Sequence, residues 1–225
     1  MSAPVAPTFA NLNRFPGKVA LVTGGVRGIG RGIVDELLRE GAAVAFADLD
    51  PAAEAIAAEL SAAGHAVRAW VGNLEDEAFI HQFVAEAAAH FGRIDYLVNN
   101  AFSFTAKSHD ATTADWQRSF FVGPVAYGRL TAAAAPHLAQ NGGGAVVNIS
   151  SISAFIAQPH RWTYNAAKGA VQTLTKCLAL DYATQNIRVN SISPGWIWTR
   201  ETLRAANIDG GGPEKWDSIW GEYHM

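Results

Sequence analysis

From residue 18 onward, short apolar runs alternate with longer Ala-rich stretches of helical period. The runs 19–22, 43–47, 67–71, 96–98, 145–149 and 188–192 are too short for helices and predict six strands. Between them, 28–40, 51–63, 75–91, 113–139 and 162–184 predict helices. Gly41 follows the first helix at the usual stop position, and Pro51 stands at the start of the second. Near-continuous apolar strands joined through helices imply a parallel sheet covered on both faces. The expected fold is therefore α/β, a doubly wound parallel sheet in a single domain. Residues 1–16 read as a Pro/Ala-rich tail, and 17–199 as the domain.

Composition narrows the picture. The 225 residues suffice for one α/β domain with a sizeable core. The net charge of -3 and the absence of long basic runs argue against nucleic acid as a partner. Cys177, the single cysteine, rules out an internal disulfide and a multi-cysteine metal site, and it fits a reducing, cytoplasmic setting. No metal-ligand spacing stands out. The N-terminus lacks a charged start followed by an apolar run, so no signal peptide is expected. No stretch approaches the ~18 apolar residues that suggest a membrane span. Asn148-Ile149-Ser150 matches a glycosylation sequon, but it falls in an expected buried strand.

The first strand runs into Thr23-Gly24-Gly25-Val26-Arg27-Gly28-Ile29-Gly30. Glycines at 24, 28 and 30 permit a tight turn and close backbone approach. The following helix offers unpaired N–H groups and a positive dipole end to a pyrophosphate. Asp48 closes the second strand, 24 residues after Gly24. A carboxylate there accepts hydrogen bonds from both adenosine ribose hydroxyls and repels a 2′-phosphate. Arg27 argues the other way, as a cation able to hold that phosphate. Asp48 sits nearer the 2′ position, so NAD is favoured over NADP. Asp50 is the better placed of the two acids to cap the next helix.

Tyr164 and Lys168 are four apart on one face of the last helix. An ammonium beside a phenol favours phenolate and fits it for proton exchange with an alcohol near neutral pH. Ser151 ends the fifth strand, where its hydroxyl can meet the substrate oxygen.

Taken together, the Thr23–Gly30 turn, Asn99-Asn100-Ala101, Ser151, Tyr164-Asn165-Ala166-Ala167-Lys168 and Ser193-Pro194-Gly195 resemble the short-chain dehydrogenase/reductase family in order and spacing. The resemblance spans about residues 18–199 and implies a Rossmann-type sheet and an NAD(P)-dependent dehydrogenase or reductase acting on CH–OH donors. It implies that Tyr164 is the acid/base, that Lys168 lowers its pKa and holds the nicotinamide ribose, and that Ser151 orients substrate. It places Asn100 in the ribose cleft, and Asn73 and Leu74 against adenine. Ile197 and Thr199, after Pro194 and Gly195, fall beside the nicotinamide carboxamide. A homodimer or homotetramer is expected, with the Ala-rich faces of 113–139 and 162–184 available for packing.

Three positions depart from the family pattern. Phe102 stands where glycine is usual, and either narrows the cleft or simply packs. Gly123-Pro124 stands where the family has an active-site Asn in the central helix. Proline removes the helical donor to the Phe120 carbonyl, so Gly-Pro is expected to kink the helix and free carbonyls for a relay water. Finally, residues 200–225 read as only the start of a substrate lid, with no seventh strand after the sixth, leaving a sheet edge open.

Phe102, Phe104, Phe155, Gln158, Trp162, Trp196 and Trp198 are the candidate pocket residues. An aromatic wall suits an apolar or cyclic secondary alcohol or ketone, and tryptophan also stacks on sugar faces. The alternative function is a catalytically weak nucleotide-binding or scaffold protein. Phe102, Gly123-Pro124 and the early end support it; the intact Ser151, Tyr164 and Lys168 oppose it.

Overall fold

The computed structural model describes residues 13–199 and 202. Six strands form one parallel sheet: β1 (Val19–Thr23), β2 (Ala43–Asp48), β3 (Val67–Val71), β4 (Tyr96–Asn99), β5 (Gly144–Ile149) and β6 (Ile187–Ile192). Their order is β3-β2-β1-β4-β5-β6. The chain winds outward in one direction from β1 to β3, then returns to start again at β4. That reversal puts a crevice between β1 and β4 at the carboxyl ends of the strands, where doubly wound sheets bind ligands.

Strand alternation assigns side chains to the two faces. Leu21, Ala45, Leu97 and Val146 enter one core, while Val22, Val44, Val98 and Ile149 enter the other. α1 (Gly28–Arg39) and α2 (Ala52–Ala62) cover the second core. α3 (Glu77–Phe91) and the central helix cover the first. α6 (Trp162–Asp181) packs along β6 and contributes Leu178 to that first core. No helix among the described residues is long and apolar enough to cross a membrane.

Where element ends differ from their expected places, they do so by one to three residues, for local reasons. α3 starts at Glu77 because the Asp76 side chain accepts from the Ala78 N–H and makes the N-cap. It stops at Gly92, which takes a left-handed φ of 78°. α6 ends at Asp181, followed by a short 3-10 turn, Ala183–Gln185. In the expected N-terminal tail, residues 13–16 are tied down. Phe15 packs edge-on against Tyr96 at 5.5 Å, its N–H donates to the Glu40 carbonyl, and Arg14 pairs with Glu40.

The expected single helix over 113–139 is three segments. α4 (Thr113–Phe120) starts in a Thr112/Asp115 capping box. A π-helical stretch, Phe121–Val125, follows, and then α5 (Ala126–Gln140). Gly123 leaves helical geometry at φ −103°, ψ −115°, beside Pro124, and the Ala126 N–H donates five residues back to the Phe121 carbonyl. The kink expected of Gly123-Pro124 is present, as a proline-associated π-bulge. Within the described residues the sheet ends at β6; the lid expected from 200 onward lies outside them, Thr202 apart.

Candidate active site

A cleft of about 640 Å³ opens across the carboxyl ends of the strands. Gly24, Arg27, Gly28, Ile29 and Gly30 line one end. Gly24 has φ +73°, and a Cβ on Gly30 would lie 1.9 Å from the Gly24 carbonyl oxygen, so no larger residue fits this turn. Asn100 braces the turn from β4: its Nδ2 donates to the Thr23 carbonyl at 2.9 Å and the Gly24 carbonyl at 3.2 Å. α1 has no side-chain cap and no acid in its first turn. Its leading N–H groups thus face the cleft with no competing anion, which fits a pyrophosphate.

Asp48 stands beside this turn. Its Oδ2 accepts from the Val26 N–H and its Oδ1 from the Asp50 N–H, both at 3.0 Å. Burial raises its pKa, partly offset by the Val26 bond and the Arg27 charge. Arg27 is ion-paired with Asp50. The cation that argued for a 2′-phosphate is therefore already engaged. Asp50 also accepts from the Ala52 N–H at 3.0 Å, the capping role expected of it. Asn73 and Leu74 line the same end; Asn73 accepts from the Glu75 N–H and Leu74 is rooted in the core.

At the other end, Ser151, Tyr164 and Lys168 converge. Ser151 follows β5, and its hydroxyl lies within hydrogen-bonding reach of the Tyr164 phenol. Its one proton goes to Ser153 Oγ at 3.0 Å, which donates in turn to Gln158 Oε1 at 2.5 Å. This hydroxyl chain fixes the Ser151 rotamer. Burial holds the Tyr164 pKa above its ordinary value, against the pull of the Ser151 bond and the Arg161 charge. Lys168 is buried, and burial lowers its pKa to about 7. Its Nζ donates to the Ile149 carbonyl at 2.8 Å and sits 3.9 Å from the centre of the Phe102 ring, but 5.8 Å from that of Tyr164. In this structure Ser151 and Arg161 pull on the phenol, while the Lys168 ammonium stands nearer Phe102.

Phe102 lies edge-on to Tyr164 at 5.3 Å and against Gly123 at the kink. The ring fills the side of Lys168 that faces the kink, where freed carbonyls were expected to hold a relay water. Pro194, Gly195, Ile197 and Thr199 close the cleft from the β6 side. Thr199 packs over Gly28, and its hydroxyl bonds with Thr202, whose hydroxyl also donates to the Ile197 carbonyl at 2.6 Å.

Of the expected substrate wall, Phe102, Phe104, Gln158 and Trp196 line the cleft. Phe155, Trp162 and Trp198 do not, at 71%, 54% and 52% exposed. Trp162 is two residues from Tyr164, and positions two apart on a helix face different ways. Trp198 turns outward beside the inward Ile197, and Phe155 ends a one-turn 3-10 helix on the surface. The buried sequon is confirmed as inaccessible: Asn148 donates to Thr175 at 3.0 Å and accepts from Asn99 at 2.8 Å. Sequence reasoning missed Ser153 and Arg161. Arg161 stands three residues before Tyr164, as the non-helical residue that leads into α6.

A family model described as short chain dehydrogenase matches residues 18–207. L-fucose dehydrogenase of Mus musculus is 40% identical over 205 residues, covering 89% of this chain and 73% of that protein. Cis-4-hydroxycyclohexanecarboxylate dehydrogenase of Sinomonas cyclohexanicum is 36% identical, covering 82% and 75%. A solved 7α-hydroxysteroid dehydrogenase in complex with NADH and 7-oxo glycochenodeoxycholic acid is 29% identical, with TM-score 0.86 over 93% of this chain and 80% of that one. Family model, relatives and sheet topology agree: the chain belongs to the short-chain dehydrogenase/reductase family, NAD(P)-binding oxidoreductases acting on CH–OH donors.

Proposed function

We propose that this protein is an NAD(H)-dependent dehydrogenase that interconverts a ring-bearing secondary alcohol and its ketone, with Tyr164 as general acid/base. The observation that carries the reading is the convergence of Ser151, Tyr164 and Lys168 at one end of a cleft whose other end is a glycine turn flanked by Asp48. A bound NAD would supply the acceptor for the hydride of the carbinol carbon. In oxidation, Tyr164 takes the hydroxyl proton as that hydride departs, so only the phenolate form is productive. Ser151, by turning its one hydroxyl proton from Ser153 to the reacting oxygen, steadies the charge that develops there. Lys168, anchored on the Ile149 carbonyl, is assigned to hold the nicotinamide ribose and to favour phenolate. Asp48 takes the ribose hydroxyls, and Arg27, occupied by Asp50, leaves a 2′-phosphate without a cation.

The substrate assignment draws on Phe104, Gln158 and Trp196 at the cleft wall and on relatives named for a sugar, a cyclohexane and a steroid. A homodimer or homotetramer belongs to this reading, supported by Phe121 and Leu180, which lie exposed on the helices expected to pack. So does a cytoplasmic setting, supported by the exposed, unpaired Cys177.

The test is a panel of cyclic, aliphatic and sugar alcohols with NAD, following reduced nicotinamide absorbance, with Tyr164→Phe alongside. Turnover that drops at least ~100-fold in Tyr164→Phe supports the assignment. Tight NADH binding with no turnover on any alcohol points instead to the binding-only alternative, which the Phe102 ring beside Lys168 favours.

A further inference from the structure

We infer that Arg161 makes the substrate end of this cleft a carboxylate site, so that the substrate is a secondary alcohol bearing an acid group on the far side of its ring. The inference rests on the dehydrogenase reading above and specifies its substrate class. The Arg161 guanidinium lies 5.9 Å from the Phe104 ring centre and 5.6 Å from that of Trp196. Phe104 in turn lies 4.8 Å from Tyr164. The cation thus lies beside two aromatic rings of the cleft wall, at the outer edge of cation–π range, one ring away from the reacting phenol, and its charge acts on that phenol.

Among the described residues, the Arg161 guanidinium has no hydrogen-bond or ion-pair partner; only the backbone carbonyl is engaged, by the Asn165 N–H at 2.8 Å. Other cations of the cleft are committed: Arg27 to Asp50, Lys168 to the Ile149 carbonyl, and Arg118 near Glu75. The two acids that line the cleft, Asp48 and Glu75, both belong to its adenosine end. Among the described residues, the catalytic end therefore holds a guanidinium without an ion pair and no carboxylate. Proximity to rings takes up none of the N–H groups of a guanidinium, and that fork matches a planar carboxylate in a bidentate pair. A neutral hydroxyl would satisfy only part of it. With the acid on Arg161, a six-membered ring spans Phe104 and brings its opposite hydroxyl toward Ser151 and Tyr164.

The experiment compares 4-hydroxycyclohexanecarboxylate with its carboxamide, near-isosteres differing in charge, using the full chain and saturating NAD. The acid is expected to exceed the amide in kcat/KM by about 10- to 100-fold. Arg161→Gln should bring that ratio near one, chiefly through KM for the acid, and Arg161→Lys should retain part of it. Because any effect of Arg161 on Tyr164 acts on both substrates alike, the ratio isolates carboxylate recognition. An acid-to-amide ratio near one in the unmodified protein, or one unchanged by Arg161→Gln, overturns the inference.

If neither compound turns over, binding decides. Cyclohexanecarboxylate is titrated against the NADH complex by tryptophan fluorescence, with cyclohexanecarboxamide beside it. Preference for the acid, lost in Arg161→Gln, sustains the site while the dehydrogenase reading fails. Equal binding of the two compounds rejects the site.

Discussion

The Phe102 ring occupies the space that a side chain at residue 123 would need: a Cβ on Gly123 would lie 2.6 Å from Phe102 Cε2. Large and small residues here are complementary, and both stand at positions that differ from the family pattern. The ring cannot retreat freely, because Tyr164 meets its edge and Lys168 caps its face. Gly123→Asn should therefore cost about 1–3 kcal/mol through overpacking. Phe102→Gly should be destabilising as well, through lost packing and a freed backbone. The double variant should be more stable than the sum of the two predicts, by about 1 kcal/mol or more. Urea unfolding of the four proteins in this cycle measures the coupling, and strict additivity would disprove it.

Cofactor choice is expected to rest on three linked side chains. Asp48 is held by the Val26 and Asp50 N–H groups, and Asp50 holds Arg27. Asp48→Ser removes the repulsion against a 2′-phosphate, and adding Asp50→Asn releases Arg27 toward it. The NAD-to-NADP ratio of kcat/KM should fall at least ~10-fold in the single variant and further in the pair. Steady-state kinetics with both cofactors checks this. A ratio indifferent to Asp48 would return the residue to a purely structural role.

Sheet, helices and the glycine turn were legible because each has a local cause. Alternation on β1 sorts Leu21 from Val22, and Gly30 is required by the carbonyl of Gly24. Tyr164, Lys168 and Ser151 were legible as a combination of motifs. What could not be read was the direction of side chains on irregular backbone. Phe155 and Trp198 looked like pocket aromatics yet point outward, because no fixed period governs the loops they occupy. Lys168 was expected to serve Tyr164 directly. Its turn toward Phe102 depends on a contact 66 residues away in sequence, which no local pattern encodes. Arg161 was overlooked since a single cation before a helix has many uses; its place on the cleft wall beside Phe104 and Trp196, with no ion pair among the described residues, is a three-dimensional fact.

Buried Lys168 should shape the pH dependence of stability. Its folded pKa of about 7 lies below the ordinary 10.5. Between those values the unfolded chain binds more protons than the folded one, so stability rises with pH across this window. Below pH 7 both states carry the proton and the destabilisation is full. For one such group the slope reaches about 1.4 kcal/mol per pH unit. Urea unfolding at intervals from pH 6 to pH 10 should show the rise, and Lys168→Met should flatten it. A wild-type protein that loses stability steadily from pH 7 to pH 10 would contradict the assignment.

Titration of Tyr164 governs catalysis rather than stability. Burial raises the phenol above its ordinary pKa, while the Ser151 hydrogen bond and the Arg161 charge pull it down. Alcohol oxidation needs the phenolate, so kcat/KM for that direction should climb with pH across the neutral and alkaline range. Ketone reduction needs the neutral phenol and should show the opposite limb. Removing either stabilising group raises the pKa further, so Arg161→Gln and Ser151→Ala should both displace the oxidation limb to higher pH. A neutral alcohol such as cyclohexanol is the right substrate, because its own charge does not change and recognition of an acid is kept out of the profile. Ser151→Ala should in addition lower the plateau, since its hydroxyl also meets the reacting oxygen. Arg161→Gln should act on the position of the limb. An unmoved limb in both variants would mean that the titrating group in turnover is not Tyr164.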